Sequence, residues 1–366
     1  MRRLAACLSL LVIPCARSLA QADSGRARSG SIEGVVVVAD AGVPLGNAVV
    51  AIAALNYERF TDEQGRFAVH GIAAGSYHLR VRRIGYSPRD IDVAVREDQT
   101  TPVRVVLAHL TVELDRIRVY ARGSCTTPGL PTEASGSVSA PVASLFEQLK
   151  QNADQYRLLT ERYPFAYAVE RTLGSRAMDS SLKVQGVDTL VIGSTNRWSY
   201  VAGNVVVRRL NAFNRFEWVV NLPTLVNFAE RAFQDNHCFA YGGVETVDGT
   251  AMARIDFLVA DAITAPDVDG SIYLDAATFQ IRLAKLTVTN IPPTFADIDR
   301  IAVTTHFREI APSIPVFDRV NGANSIRPGS GRNAPMEMTE DQRLLEFRFL
   351  TEAPSGAAPP RRPPAS

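Results

Sequence analysis

Between Ser31 and Ala121 the chain is written in short runs of alternating apolar and charged residues, separated by turn chemistry. Tyr77, Leu79 and Val81 alternate with His78, Arg80 and Arg82, and Ile91, Val93 and Val95 with Asp92 and Arg96. The same period of two recurs at Val103, Val105 and Leu107, and at Ile117 and Val119 between Arg116 and Arg118. A period of two with one charged face specifies half-buried strands over a single core. Pro44 with Gly42, and Gly65, Gly71, Gly75 and Gly85, fall between the runs, where tight bends are needed. The pattern predicts a β-sandwich.

Four segments in order make the assignment more specific. Val43 to Val50, Thr61 to Phe67 (TDEQGRF), Gly75-Ser76-Tyr77 and Ile84-Gly85-Tyr86 resemble the signatures of the carboxypeptidase regulatory-like family. The resemblance covers about 90 residues, roughly 31–121, and implies a transthyretin-like sandwich of about seven strands. In that family the module accompanies metallopeptidase domains, precedes outer-membrane receptors, or sits on envelope proteins without known activity.

The peptidase option has its own test. Zinc carboxypeptidase chemistry needs a His-x-x-Glu pair and a third histidine downstream. The match here is His306 to Glu309, and no histidine follows it. No Gly-x-Ser-x-Gly elbow, Cys-x-x-Cys or phosphate-cradling loop is present either. No catalytic residue, metal ligand or cofactor is therefore assigned, and a hydrolase with dispersed residues is the least favoured reading.

Residues 1–20 read as a signal peptide. Arg2 and Arg3 precede an apolar run from Leu4 to Ala16, and Ser18-Leu19-Ala20 ends in a cleavage-like triplet. Cys15 offers a lipoprotein alternative, against which Pro14 stands directly in front of it. Loss of Arg2, Arg3 and Arg17 turns the formal net charge from +1 to −2, which leaves no electrostatic footprint for nucleic acid. No later run is long enough for a transmembrane helix. The expected location is periplasmic or extracellular, with peripheral outer-membrane association open.

After the signal only Cys125 and Cys238 remain. In an oxidising compartment two cysteines are expected to pair, and two separate buried thiols are the alternative.

Residues 122–140, rich in Gly, Pro, Ser and Thr, read as a linker, and 353–366 as a disordered Pro-rich tail. Between them, 141–352 read as a second domain. Ser139 as N-cap and apolar spacing through Val142, Leu145, Phe146, Leu149, Ala153 and Tyr156 predict a helix of roughly twenty residues. A shorter helix is expected from Pro223 to about Asn236. Nine strands are expected: 165–173, 189–200, 204–210, 238–247, 251–259, 270–274, 280–288, 302–310 and 343–350. The fold class is thus mostly β, a sandwich followed by an antiparallel sheet with one long and one short helix. Gly270 to Ile281 (GSIYLDAATFQI) is similar to a hairpin of periplasmic lipoprotein-carrier half-barrels. That similarity implies an unclosed barrel whose apolar face holds a lipid chain or a partner.

Trp198 and Tyr200 share one strand face, as do Phe216 and Trp218, and both pairs are candidate ligand-stacking residues as well as candidate core. The acidic run Asp261, Asp267 and Asp269 lacks calcium-loop spacing and reads as a solvated loop. The function these features support is a non-catalytic binding or scaffolding role in the cell envelope, towards a protein, glycan or lipid surface. The alternative is a carrier of a lipophile in the second domain.

Overall fold

The computed structural model describes residues 29–111, 123–131, 140–177, 181–194, 198–210, 216–295, 297–329 and 335–354, with 179 and 357. The expected signal peptide, the strand at 117–119 and most of the expected tail lie outside these residues.

Seven short strands form the first unit. β1 (Ser29–Val38), β4 (Arg66–Ala73) and β7 (Thr100–Leu107) make one sheet in the order β4-β1-β7. β2 (Val49–Ile52), β3 (Tyr57–Phe60), β5 (Gly75–Arg82) and β6 (Arg89–Val95) make the other, in the order β3-β2-β5-β6. The alternation read from the sequence is the burial pattern found: Leu79, Val81, Val93, Val95, Val105 and Leu107 are buried, and His78, Arg80 and Asp92 are exposed. Gly65 has φ +69°, and a Cβ there would fall 2.4 Å from the Val36 carbonyl oxygen. That turn is pinned by the Thr61 hydroxyl, which donates to the Leu45 carbonyl (2.9 Å) and accepts from the Ala48 N–H (3.0 Å). The TDEQGRF motif is thus a packing requirement.

The second unit is one sheet of nine antiparallel strands. Seven run as a meander, β12 (His237–Val247), β13 (Thr250–Val259), β14 (Asp267–Asp275), β15 (Ile281–Thr289), β16 (Ile298–Ala311), β17 (Ile314–Ile326) and β18 (Glu337–Phe349). The hairpin of β8 (Phe165–Arg176) and β9 (Leu182–Gly193) adds on beside β18, so β12 and β9 are the edges. The two expected turns hold: Asp248 and Gly249 both have positive φ, and the Asp275 carboxylate accepts from the Ala277 and Thr278 N–H groups.

Helix α1 (Ala140–Arg162) covers one face of this sheet. Its Leu145, Phe146, Leu149 and Ala153 join Ile255, Phe257, Ile272, Leu274, Ala284 and Leu286 in one core. The residues that fill the core alternate along β13 to β15, so the buried face is read directly from the period of two.

Three expectations change. The strand expected at 189–200 runs from Leu182 to Gly193, and 198–200 have no regular structure. β17 was not expected, and the short β11 (Phe216–Val220), paired with β10 (Val206–Leu210), was implied only by the shared strand face of Phe216 and Trp218 and not counted among the nine strands. The helix expected over 223–236 is only a 3-10 turn at Asn227–Ala229 and the four-residue α2 (Arg231–Gln234). Asn227 accounts for the break. It accepts from the Thr224 N–H and donates to the Trp198 carbonyl and Glu230 carboxylate, while Glu230 accepts from the Tyr200 N–H. Side-chain bonds to a neighbouring loop replace helical continuation.

The first unit sits on the other flank of α1. Ile84 is buried within the core of the second unit. The Gly85 N–H donates to Gln148 Oε1 (2.7 Å), and at φ +83° a Cβ on Gly85 would lie 3.0 Å from the Thr278 carbonyl oxygen. Around this plug, Glu58 bridges Arg82 and Arg157 at 2.6 Å each, and Asp154 lies 3.4 Å from Arg82. The Ile-Gly-Tyr signature of the first unit is its docking point.

Candidate functional site

The inner face of the nine-stranded sheet is not uniformly filled. Over β12 to β15 it is covered by α1 and by residues of the segments 198–206 and 220–233. Over β16 to β18 and β8 a groove of about 560 Å³ remains, within the size range of small-molecule sites. Its floor is apolar: Leu173 of β8, Ile301 and Val303 of β16, Val320 of β17 and Met338 of β18. Val219 and Val220 of β11, with Leu222, form the facing wall.

Polar side chains collect on one side, Arg171, Gln185, Glu340 and Gln342. The Arg171 guanidinium is held by both oxygens of Asp188, with Nε at 2.9 Å, and the contact keeps the Asp188 carboxyl below the usual carboxylate range. Gln342 donates to Glu340 (2.9 Å). The lining contains no serine, cysteine or histidine. Such a site can hold an elongated apolar molecule and meet a polar end. A larger depression of about 710 Å³ over β4-β1-β7 is lined by Glu33, Val35, Arg66, Ala68, Pro102 and Arg104 and is open to solvent.

The candidate aromatics lie elsewhere. Tyr200 is 3% exposed, with its ring against Phe233 and His237, and Trp198 is half-buried beside it. Phe216 and Trp218 are on β11, next to the groove wall, but their side chains are outside the described residues.

Asp261 lies in an exposed turn, as expected of a solvated loop, but Asp267 and Asp269 are on β14, which corrects the sequence reading for those two. Asp267 is fully buried and accepts from the Tyr200 hydroxyl (2.7 Å) and from the Gly203 (2.8 Å) and Val268 (2.9 Å) N–H groups. Burial pushes its carboxyl upward, but the hydrogen bonds, with His237 Nε2 at 3.6 Å, outweigh that and hold it below the usual range. The Tyr200 hydroxyl is pushed up by burial and by Asp267. His237 is wholly buried, with Nδ1 facing the Phe233 carbonyl (2.8 Å) and Nε2 the Val268 carbonyl (3.1 Å). Asp261 and Asp269 carboxylates accept the Cys125 and Val259 N–H groups. These acids fasten loops to strands, and their signal in sequence was indistinguishable from loop polarity.

Cys125 and Cys238 form a disulfide. It ties the segment 123–131 along β12, where the Gly129 N–H donates to the His237 carbonyl (2.8 Å). His306 and Glu309 do not converge: His306 lies by Arg319, and Glu309 accepts from Arg282 and from the Ser313 N–H. Among the described residues no group of three His, Cys, Asp or Glu side chains is placed to hold a metal ion, and no helix is long and apolar enough to cross a membrane.

Residues 31–108 match the carboxypeptidase regulatory-like domain family. No curated protein matches the chain. Among solved structures, the minor pilin GBS52 of Streptococcus agalactiae is 16% identical over 25% of this chain and 49% of that one, with a TM-score of 0.22. The chain thus spans about half the length of that relative. A putative outer membrane lipoprotein-sorting protein domain from Vibrio parahaemolyticus is 14% identical over 57% of this chain and 94% of its own (TM-score 0.32). A LolA superfamily protein from Nitrosomonas europaea is 10% identical over the same shares (TM-score 0.29). These scores are too low for function to be carried across; the groove is the ground for a functional reading.

Proposed function

We propose that this chain, a carboxypeptidase regulatory-like domain docked on a nine-stranded sheet, is an exported envelope protein that binds an amphiphile in the groove of that sheet without transforming it. The observation that carries the reading is the groove itself. An apolar floor in which half-buried Leu173, Val320 and Met338 continue the buried Ile301 and Val303 is left without a covering helix in a protein that fills the rest of the same face. An alkyl chain would lie along that floor, and its polar end would meet Arg171 and Gln342. Open apolar surface of this kind costs stability in water unless something covers it, roughly 25 cal/mol per Å². The disulfide fits an oxidising compartment and supports export. The first domain braces the second through Ile84 and Gly85 rather than supplying chemistry.

The test is native mass spectrometry of the exported protein, paired with titration of a fluorescent long-chain fatty acid. The expected result is a co-purifying lipid mass and saturable probe binding. Both should be lost in Val303→Arg and Met338→Arg variants that still fold. A bare wild-type chain that also fails to bind the probe would sink the reading and leave protein scaffolding as the role.

A further inference from the structure

The edge strand β9 is distinct from the groove in what it offers. Of its residues, Leu182, Val184, Val187 and Val191 are all exposed, Val187 at 60% and Val191 at 72%. They lie on one face because of a bulge: Gly186 pairs with Leu173 but Val184 with Gly174, so Gln185 is an extra residue. Beyond the bulge, Gly186 to Gly193 is regular, with Val187, Thr189 and Val191 facing away from the groove and Asp188, Leu190 and Ile192 towards it. Among the described residues nothing pairs with the outer side of this strand.

We propose that β9 pairs antiparallel with β9 of a second copy of this chain, about a two-fold axis at Thr189, to give a closed dimer. In that register Val187 stands opposite the partner's Val191, and Val191 opposite the partner's Val187, while Thr189 meets its own symmetry mate. β-branched pairs of this kind are the favourable cross-strand combinations. On the other face Asp188 stands opposite the partner's Leu190, and Gly186 opposite the partner's Ile192. The segment's one charge, Asp188, is already matched by Arg171, so no like charges are brought together. The bulge at Gln185 ends the regular ladder on one side and Gly193 on the other, which fixes the register.

The other edge of the sheet decides that the assembly closes. Strand β12 is covered by the segment 123–131, fastened by the Cys125–Cys238 disulfide. Among the described residues each chain therefore has one unpaired edge in this sheet, and isologous pairing uses both such edges at once instead of propagating.

The register is tested by cross-linking the full exported chain. Directly opposed residues in an antiparallel pair have Cα atoms about 4.5–5.5 Å apart, inside the disulfide range of about 4.4–6.8 Å. Thr189→Cys is expected to form a disulfide-linked dimer under mild oxidation at least about tenfold faster than Val184→Cys, which lies outside the paired segment. Val187→Cys and Val191→Cys should cross-link when mixed and not when alone. Sedimentation velocity should show concentration-dependent dimer for wild type and monomer for the Val187→Lys, Val191→Lys double variant. A wild-type chain that stays monomeric at all concentrations, equal cross-linking rates for Thr189→Cys and Val184→Cys, or growth into higher oligomers would each overturn the proposal. The groove reading stands or falls separately, since lipid binding is measured on the monomeric double variant.

Discussion

The two ends of the nine-stranded sheet are built from the same kind of strand and are finished in opposite ways. At the β12 end the edge is covered by a disulfide-tied segment, and the inner face is packed with Phe228, Phe233, His237, Phe239 and Phe257 at ring separations of 3.9 to 6.5 Å. Every buried charge there has a named partner. At the β9 end the edge is unpaired among the described residues, valines face solvent and a groove is left beneath β11. Contiguous sheet does not mean uniform packing: the first end is filled, and the second leaves apolar surface exposed.

Mutations should split along that line. Phe257→Ala at the filled end removes the ring at the centre of the aromatic cluster and is expected to cost about 3–5 kcal/mol in chemical denaturation. Val303→Ala on the groove floor should cost no more than about 1.6 kcal/mol, two methyl groups beside an existing cavity. Equal losses at both positions would erase the distinction. Asp267→Asn belongs with the first: it leaves the Tyr200 hydroxyl and two buried N–H groups facing an amide, an expected loss of about 3 kcal/mol at neutral pH. The sign of the pH effect follows from the depressed carboxyl. Its contribution is fully present above the free value of 3.8 and is lost as pH falls through the lower folded value. Wild type should therefore shed stability on acidification below 3.8 that the Asn variant has already lost. Removing the disulfide with Cys125→Ser and Cys238→Ser opens a separation of 113 residues and should cost about 2–4 kcal/mol, less than the loop-entropy ceiling, and should fray β12 alone in hydrogen exchange.

The sequence carried the filled end well and the open end poorly, for physical reasons. The Asp-Gly turn at 248–249 marked the β12–β13 hairpin, and in the first unit period-two alternation marked Leu79, Val81, Val93 and Val95, because φ > 0 and burial on one face leave local signatures. β17 was missed because Pro315, Asn321, Gly322 and Asn324 are turn formers, yet pairing with β16 and β18 on both sides overrides their preference. β9 was placed some seven residues late at both ends because the bulge at Gln185 breaks the alternation that would have started it at Leu182. The groove was legible only as a class of possibility, since it depends on which parts of one sheet face a helix reaches. The docking role of Ile84 and Gly85 was hidden in a family signature: both residues are explained equally by a turn, and only Gln148 and Thr278, sixty and almost two hundred residues away, reveal the interface.

Gly85→Ala tests that interface. Positive φ and the close Thr278 carbonyl predict about 1–2 kcal/mol. The smallest effect is the sharpest contrast with the filled end. Val191→Lys places a charge on a side chain that is 72% exposed and touches no core, so monomer stability should move by less than about 0.5 kcal/mol. A valine on a central strand would not tolerate this, because its alternate face is buried; on a bare edge only a strand from outside can notice the charge. Unchanged denaturation at low protein concentration, together with a loss of the concentration-dependent part of the stability at high concentration, would separate an edge that serves assembly from one that is merely uncovered. If Val191→Lys instead lowers stability equally at every concentration, the valine row is packing against the chain's own residues, and the contrast between the two edges of the sheet disappears.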